Sequence, residues 1–583
     1  MFSSQADARE RYGTGHARHH DHSRRDGIAG ATPSELARKV FLSKHNLQLA
    51  PDVIPWLDEL LRYFQLEHDH DEMINTLEHL VKGVLGAGNG LDGPGKITVP
   101  LLEDVYEKLM VAADQPVDTG GARAPHVNTN GGSLDDESDS RHFLKIVNAF
   151  DMPALRWAEE RKTFQMSDKA PSLAPNATSR ARYLRDRFNV IKQVILRNEH
   201  FTPPAIGQHR EDFMKLTSIK NLLGRQGGHF LIFGLLTRME DGALYLEDLD
   251  DKVELDLSEA TPESGLFTEG SFVLVDGDYT TESVFKVYEM GHPPSERRAE
   301  ARKVHGHHDF LGIGGLSLQQ EADLVDAEQV HETSFVMLSD LHLDSHKVMT
   351  ALRQMFEVYE QLEDAEKPTL FVLCGNFRSR PFLYDGEATR EYQDLFAKLA
   401  NLLASFPSLI NHSRFLLVPG PTDPWSSNLL PRPPLPQSLV KPLVAKVPHI
   451  TFGSNPCRIR YFSQELVIFR EDMMGRMMRN AVRIGERTKQ GADLRKALVQ
   501  TVLDQAHLAP LPLNIRPVVW DYDHALRLYP MPTTLVLADA FDPYKLVYED
   551  CLVFNPGSFA RRRFGWSTYY PQMSEPKERM EER

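Results

Sequence analysis

The chain has 583 residues, of which 41% are apolar and 25% are charged, and its formal net charge is −16. This length predicts about three to four domains, and we find no apolar run of about 20 residues that would predict a membrane span, nor an export signal. The acidic balance disfavours a free-standing nucleic-acid binder, and three widely spaced cysteines, Cys374, Cys457 and Cys551, disfavour a disulfide or zinc framework.

The first 31 residues are rich in Arg, His, Gly and Ser, and this composition predicts a disordered tail. Four of its histidines could hold a metal ion, although a solvated basic tail is the favoured interpretation. They are His16, His19, His20 and His22.

Residues 32–114 carry the pattern of a small helical domain that we expect to fold alone. Thr32-Pro-Ser-Glu35 is a helix-start signature. Segments with one apolar stripe follow at 55–66, 73–84 and 99–112. No phosphate-binding GxxxxGK[ST] loop is present in the sequence, so no nucleotide site is predicted.

Residues 115–141 are rich in Gly, Asp, Asn and Ser, which predicts a flexible linker. A mixed connector follows at 142–215 and contains a predicted helix at 179–198. The paired prolines of Phe201-Thr-Pro-Pro204 then favour extended backbone.

Residues 216–296 change to a two-residue apolar period, which predicts five short strands and an OB-type barrel. The strands are expected at 230–237, 243–248, 253–257, 271–276 and 284–288. OB folds often bind single strands through a basic groove. The central hairpin carries Glu247, Asp248, Asp250 and Asp251 instead, so packing against protein is favoured over binding to nucleic acid.

A second connector at 297–332 precedes a domain predicted at 333–583. Strands are expected at 335–338, 369–373, 414–418, 466–470, 534–537 and 551–554, with helices at 348–363 and 390–405. This order predicts a two-layer sheet sandwich flanked by helices, and the whole chain is a multidomain α+β protein. The Pro-rich segment 430–436 is predicted at the surface, and the basic run from Arg476 to Lys489 is interpreted as a solvated face rather than a phosphate-binding one.

Polar side chains follow these buried strands at the edge where ligands gather in open α/β folds. Asp340 and His342 follow the first strand, in an Asp-x-His that resembles the opening motif of calcineurin-like metallophosphoesterases. Asn376 stands where that family has a metal-bridging Asp. Asp423 and Asp539 remain after the later strands, but the histidines expected beside them are absent.

Such a set is too small for two metal ions, because a neutral Asn cannot replace the anionic bridge between two dications. We therefore predict an inactivated site with no catalytic residue, no cofactor and no metal. Its remnants are Asp340, His342, Asn376, Asp423 and Asp539.

The last 380 or so residues carry several motifs that resemble the B subunits of replicative B-family DNA polymerases, and the epsilon type in particular. They are Phe201-Thr-Pro-Pro204, Gly420-Pro-Thr-Asp-Pro424, Leu430-Pro-Arg-Pro-Pro-Leu435, Asn455-Pro-Cys-Arg-Ile459, Phe469-Arg-Glu-Asp472, Gln505-Ala-His-Leu-Ala-Pro-Leu-Pro512 and Asn555-Pro-Gly-Ser-Phe559.

This resemblance implies a non-catalytic accessory subunit in the nucleus. The barrel and the inactivated domain would hold the C-terminal zinc-binding region of the catalytic subunit. The N-terminal domain, which in this family is similar to the helical lid of AAA+ ATPases, would contact the GINS component of the replicative helicase. Contact with DNA would be indirect or weak. The alternative is an active metal-dependent phosphodiesterase or exonuclease.

Overall fold

The computed structural model describes residues 140–203, 213–240, 242–424, 428–485, 493–573 and 580–582, together with residues 38, 41, 48–50, 52–63, 77, 80, 81, 96–99 and 102. The chain divides into two compact units, Met1–His126 and Val127–Arg583. The predicted tail and nearly all of the predicted linker lie outside the described residues.

The N-terminal unit contains a helix, α1 (Val53–Tyr63), and a parallel pair of short strands, β1 (Gln48–Leu49) and β2 (Lys96–Ile97). The helix corresponds to the one predicted at 55–66. The later predicted segments are helical at the residues that the structure describes, which are Leu77, Leu80, Val81, Val99 and Leu102. The strand pair was not predicted, because two-residue strands show no periodicity. Among the residues of this unit that the structure describes, nine buried side chains form an apolar core: Phe41, Val53, Leu57, Leu60, Leu77, Leu80, Val81, Ile97 and Leu102. The helix start at Thr32 lies outside the described residues.

The second unit begins with short elements in the region predicted as a connector. These are a 3₁₀ turn at Ser140–Phe143, strands β3 (Leu144–Asn148), β4 (Leu155–Ala158) and β5 (Thr163–Met166), and helix α2 (Ala177–Arg197). Asn176 caps this helix by accepting a hydrogen bond from the Ser179 N–H.

A barrel follows, and all five predicted strands are present within it. Its elements are β6 (Leu216–Thr217), β7 (His229–Arg238), β8 (Leu244–Glu247), β9 (Lys252–Asp256), β10 (Thr261–Pro262), β12 (Phe272–Tyr279) and β13 (Val284–Gly291), with β11 (Leu266–Thr268) leaving the sheet. The order is β10-β13-β12-β7-β8-β9, and the barrel closes where β13 pairs with β9. Strand β12 has a register shift between Asp276 and Gly277. Glycine is required there because a Cβ at residue 277 would lie 2.0 Å from the Lys286 carbonyl oxygen.

The remaining elements build two six-stranded sheets. The helices are α3 (Arg298–His305), α4 (Leu318–Val330), α5 (His346–Glu360), α6 (Gly386–Ala404), α7 (Pro407–His412), α8 (Gln437–Lys446), α9 (Met473–Asn480) and α10 (Leu494–Asp504). The strands are β14 (Phe335–Leu338), β15 (Leu370–Cys374), β16 (Arg414–Val418), β17 (Ile450–Phe452), β18 (Cys457–Tyr461), β19 (Gln464–Arg470), β20 (Ala481–Ile484), β21 (Thr534–Ala538), β22 (Tyr544–Tyr548), β23 (Cys551–Asn555), β24 (Ser567–Tyr569) and β25 (Met580–Glu582).

The first sheet runs β17-β16-β15-β14-β24-β25 and the second runs β22-β23-β21-β19-β18-β3. One apolar core contains side chains of both sheets, including Met337, Val372, Ile459 and Ile468, so the sheets pack face to face. The other face of each sheet is covered by helices: α5, α6 and α8 on the first, and α9 and α10 on the second.

The structure places two segments differently from the sequence-based expectation. Leu430, Pro431 and Arg432 are buried rather than at the surface. In the basic run, Arg479 is exposed as expected, and Arg487 and Lys489 lie outside the described residues. Arg476, however, lies 3.3 Å from a Glu471 carboxylate oxygen, and Arg483 donates a 3.2 Å hydrogen bond to the Leu257 carbonyl. Both arginines therefore contact protein, because buried acceptors that no local pattern reveals lie within their reach.

The barrel is joined to the segments that cover the second sheet by strand pairing and by buried hydrogen bonds; β20 lies in neither six-stranded sheet. Strand β11 pairs antiparallel with β20. The Gln505 side chain accepts from the Phe272 N–H at 2.7 Å and donates to the Phe272 carbonyl at 2.6 Å. Thr501 Oγ1 accepts from the Leu266 N–H at 2.9 Å. These contacts fix the barrel on the sheets as one body.

Candidate functional site

Four of the five predicted remnant residues meet at the C-terminal ends of the strands of both sheets. Asp340, Asp423 and Asp539 are buried, with 1%, 1% and 4% of their surface exposed, and Asn376 is half-buried. Asp340 adopts a φ of +59°, which turns the chain sharply as β14 ends. The Asn376 Nδ2 donates to Asp340 Oδ1 at 3.1 Å, and its Oδ1 accepts from the Thr422 N–H at 2.9 Å.

Arg470 is the central residue of the site, and the sequence analysis did not assign it a role. Its guanidinium is fully buried at the end of β19. It donates to Asp340 Oδ1 at 2.8 Å, to the Gly375 carbonyl at 2.6 Å, to Asp472 Oδ1 at 2.8 Å and to the Ala538 carbonyl at 3.1 Å. One cation therefore joins the ends of four strands from both sheets.

The carboxyl group of Asp340 is held in its charged form. Burial alone would raise its pKa, but the positive charge of the Arg470 guanidinium and the nearby His342 imidazole outweigh burial and hold the pKa well below its usual range. The His342 Nε2 lies 3.7 Å from Asp340 Oδ1. The fifth remnant, His342, thus lies beside Asp340.

The other two carboxylates are occupied by protein donors. Asp423 accepts from the Phe377 N–H at 2.8 Å, from the Gly420 N–H at 2.7 Å and from the Tyr392 hydroxyl. Asp539 accepts from the Met474 N–H at 2.8 Å and the Phe541 N–H at 3.0 Å. Burial raises the pKa of Asp423, and burial raises that of Asp539 to about 6.

This donor set does not fit a bound dication. A metal ion needs several free anionic oxygens directed at one point, whereas the three carboxylates bind a guanidinium, backbone N–H groups and a tyrosine. Among the described residues, no group of three His, Cys, Asp or Glu side chains is placed to hold a metal ion. The arrangement cross-links the ends of strands through carboxylates that already accept protein donors.

A second buried ion cluster lies beside the first. Glu471, fully buried, accepts from Arg432 Nη2 at 3.1 Å and from Arg516, and Arg476 lies near its other oxygen. Burial lowers the pKa of Arg516 to about 10. The signal that could have revealed both clusters is the motif Phe469-Arg-Glu-Asp472 itself, because charges at the end of a buried strand require buried partners.

The chain matches two family models in its second unit. The model described as the DNA polymerase alpha/epsilon B subunit matches residues 335–545. The model described as DNA polymerase epsilon subunit 2-like, OB-fold domain, matches residues 177–294, a range that includes α2 as well as the barrel.

Within the described residues, no helix is both long and apolar enough to cross a membrane.

Curated relatives are similar over most of the chain. The DNA polymerase epsilon B subunit of Schizosaccharomyces pombe is 38% identical over 510 residues, covering 82% of this chain and 84% of the relative. The human DNA polymerase epsilon subunit 2 is 37% identical over 484 residues, covering 81% and 90%. The corresponding B subunit of Arabidopsis thaliana is 36% identical over 429 residues, covering 73% and 81%.

Proposed function

The chain belongs to the family of DNA polymerase epsilon B subunits, and from this premise we propose that it is a non-catalytic accessory subunit of a DNA polymerase epsilon that acts in chromosomal DNA replication in the nucleus. In this proposal the site residues hold the ends of the strands together and do not catalyse hydrolysis. The observation that carries this proposal is the buried Arg470, whose positive charge lies among the carboxylates where a hydrolase would need a metal ion.

The rigid body formed by the barrel and the two sheets is the proposed platform for the catalytic subunit. We infer that this platform, an inactivated phosphoesterase-like domain with the OB barrel fixed to it, binds the C-terminal zinc-binding region of that subunit. The strand pairing of β11 with β20 and the Gln505 contacts support the proposal, because a preorganised surface loses little entropy when it binds.

The N-terminal unit is the proposed contact with the helicase. It is a separate compact unit with its own apolar core. We infer that it binds the GINS component, as the family resemblance implies, so that leading-strand synthesis is coupled to unwinding. Its similarity to the helical lid of AAA+ ATPases is part of the same proposal.

Two measurements test this function. Co-expression with the polymerase catalytic subunit should yield a stoichiometric complex, and a catalytic subunit truncated before its zinc-binding region should be recovered without this chain. Recovery of the truncated subunit in the complex would contradict the proposed interface.

The non-catalytic assignment predicts no manganese-dependent hydrolysis of single-stranded DNA or of bis-p-nitrophenyl phosphate by the purified chain. The reason is that Arg470 repels a dication at the carboxylates. Hydrolysis that disappears in Asp340→Ala and persists in the surface variant Arg495→Ala would restore the phosphodiesterase alternative.

A further inference from the structure

The loop of residues 559–566, which we name the arginine loop, presents three consecutive arginines to solvent in a chain of net charge −16. Arg561, Arg562 and Arg563 are all exposed. Arg562 pairs with Asp542, whereas Arg561 and Arg563 make no ion pair within the part of the chain that the structure describes. Two of the three positive charges are therefore available to a partner.

Buried and half-buried aromatic side chains hold this loop on both sides. Phe559 is fully buried and its N–H donates to the Ser339 carbonyl at 2.8 Å. Phe564 packs against Phe559 at 5.6 Å between ring centroids, and Trp566 Nε1 donates to the Tyr359 hydroxyl at 3.0 Å. The arginines thus lie on a fixed turn rather than on a free tail.

The backbone of the turn is strained in a way that packing must maintain. Arg563 and Phe564 have φ values of +53° and +59°, a region that side chains other than glycine and asparagine seldom adopt. The N–H groups of Arg561 and Arg562 both donate to the Ser558 carbonyl, at 3.2 and 2.9 Å. Strain of this kind at an exposed charged turn is typical of a functional surface.

We propose that the arginine loop binds the phosphate backbone of nucleic acid. Guanidinium groups bind phosphates through paired hydrogen bonds. The two arginines that make no ion pair in the described part of the chain, Arg561 and Arg563, each carry a guanidinium that can bind one phosphate in this way.

A neighbouring loop favours nucleic acid over an acidic peptide. Strand β14 lies between β15 and β24, so the arginine loop and the loop after β15 flank the same strand end. The loop after β15 carries an exposed Arg380 and Tyr384, whose side chain is 68% exposed. Arginine beside an exposed aromatic ring is the combination that single-strand binders use to hold phosphates and stack bases.

The inferred phosphate contact rests on the proposed function in one respect, because that function places DNA near the chain. The test measures binding of fluorescent single-stranded and duplex 30-mers to the full chain across a salt series. The slope of log K against log salt is negative, and each lost phosphate contact reduces its magnitude by about 0.9 on duplex DNA and about 0.7 on single strands. The double variant R561A/R563A should therefore lose about two units of slope on duplex DNA and weaken both affinities at least tenfold at 50 mM salt.

The matched control is R180A/R185A, which removes two exposed arginines from helix α2 and makes the same change in net charge. It should leave the slope within a few tenths of the parent value. Equal losses in both double variants, or none in R561A/R563A, would overturn the proposal. Binding of polyglutamate is measured in parallel. If R561A/R563A lost binding to polyglutamate but kept full binding to DNA, the proposal would also be overturned, in favour of an acidic protein partner.

The same variants distinguish this inference from the proposed function. R561A/R563A should still co-purify with the catalytic subunit, because the inference separates DNA contact from subunit assembly. If the parent chain failed to co-purify while the salt slope depended on Arg561 and Arg563, the proposed function would fail and the DNA contact would stand.

Discussion

At the scale of single residues, Arg470 explains how a cluster of carboxylates can be buried without a metal ion. Three acids at adjoining strand ends would repel one another and lose their hydration on burial. The guanidinium supplies a permanent positive charge, and its five donors reach Asp340, Asp472 and two carbonyls. Burial lowers the pKa of Arg470, but the two carboxylates outweigh burial and raise the pKa above its usual value.

Replacing Arg470 by Met should destabilise the chain by about 3–5 kcal/mol, because the Asp340 carboxylate would remain buried without a partner. The double variant R470M/D340N should recover much of that loss. Urea denaturation measures both. The control is R495M, which breaks the exposed pair with Asp493 and should cost less than about 1 kcal/mol. An R470M variant as mild as this control would show that the cation is dispensable.

Asp504 predicts a pH dependence of stability. Burial raises its pKa to about 7, against hydrogen bonds from Tyr548, Ser295 and Gln500 that lower it. Between about pH 4 and pH 7 the folded state therefore binds a proton that the unfolded state has lost. Stability should fall as pH rises through this window, by up to about 1.4 kcal/mol per pH unit from this group. Asp504→Asn should flatten the fall when unfolding by urea is compared at pH 5 and pH 7.5. A slope unchanged from the parent chain would show that Asp504 does not carry this proton.

At the scale of elements, the strongly apolar strands were predicted from sequence, whereas strand β18, which carries a buried charge pair, was not. Strands β14, β16 and β21 each contain an apolar run of four residues, and they lie within a residue of their predicted bounds. Strand β18 was not predicted, although Cys457, Ile459 and Tyr461 alternate with Arg458 and Arg460 in a two-residue period that favours a strand. In the structure, the buried Arg458 has an acidic partner on the neighbouring strand, because its guanidinium donates to Glu465 on β19 at 2.8 Å. Such pairing across strands is invisible to a local pattern.

The site divides in the same way. Asp340, Asn376, Asp423 and Asp539 were predicted to meet, because they follow strands whose ends share an edge. The role of Arg470 could not be predicted, because it depends on which strand of the second sheet faces β14. That packing is set by side chains such as Met337 and Ile468 in the shared core.

The junction between the barrel and the sheets should depend on Gln505. In Gln505→Ala, the buried N–H and carbonyl of Phe272 would lose their side-chain partner, at about 1–3 kcal/mol each. We expect a lower midpoint in urea and faster proteolysis between the barrel and the sheets. Gln319→Ala, at an exposed helical position, is the matched control and should change stability by less than about 0.5 kcal/mol. If the two variants behave alike, the junction is held by strand pairing alone.

At the scale of the whole molecule, the chain separates a small N-terminal unit from one large body. The boundary of that body lies further towards the N-terminus than the barrel, because strand β3 pairs with β18 in the second sheet. Leu144 and Val147 of this strand are buried, and the Ala149 N–H donates to Ser454 at 2.7 Å. The region that the sequence suggested as a connector is thus part of the platform.

Two truncations test this boundary. Removing residues 1–140 should leave binding to the catalytic subunit intact, because strand β3 remains. The same deletion should abolish contact with GINS, because it removes the N-terminal unit. Removing residues 1–150 should cost about 3–6 kcal/mol more, from the lost burial of two apolar side chains, and should weaken the complex. Co-purification and thermal denaturation measure both. If the shorter deletion released the catalytic subunit, the proposed division between the two units would be wrong.

The pairing of β3 also sets an order of events during protein synthesis. Val147 contacts Cys457, which lies 310 residues later in the chain. A ribosome that adds about 5–20 residues per second needs roughly 15–60 s to reach that partner. The barrel strands emerge in the meantime and pair among themselves, so the barrel can fold first. Strand β3 must wait for this partner on the nascent chain until Cys457 has been made.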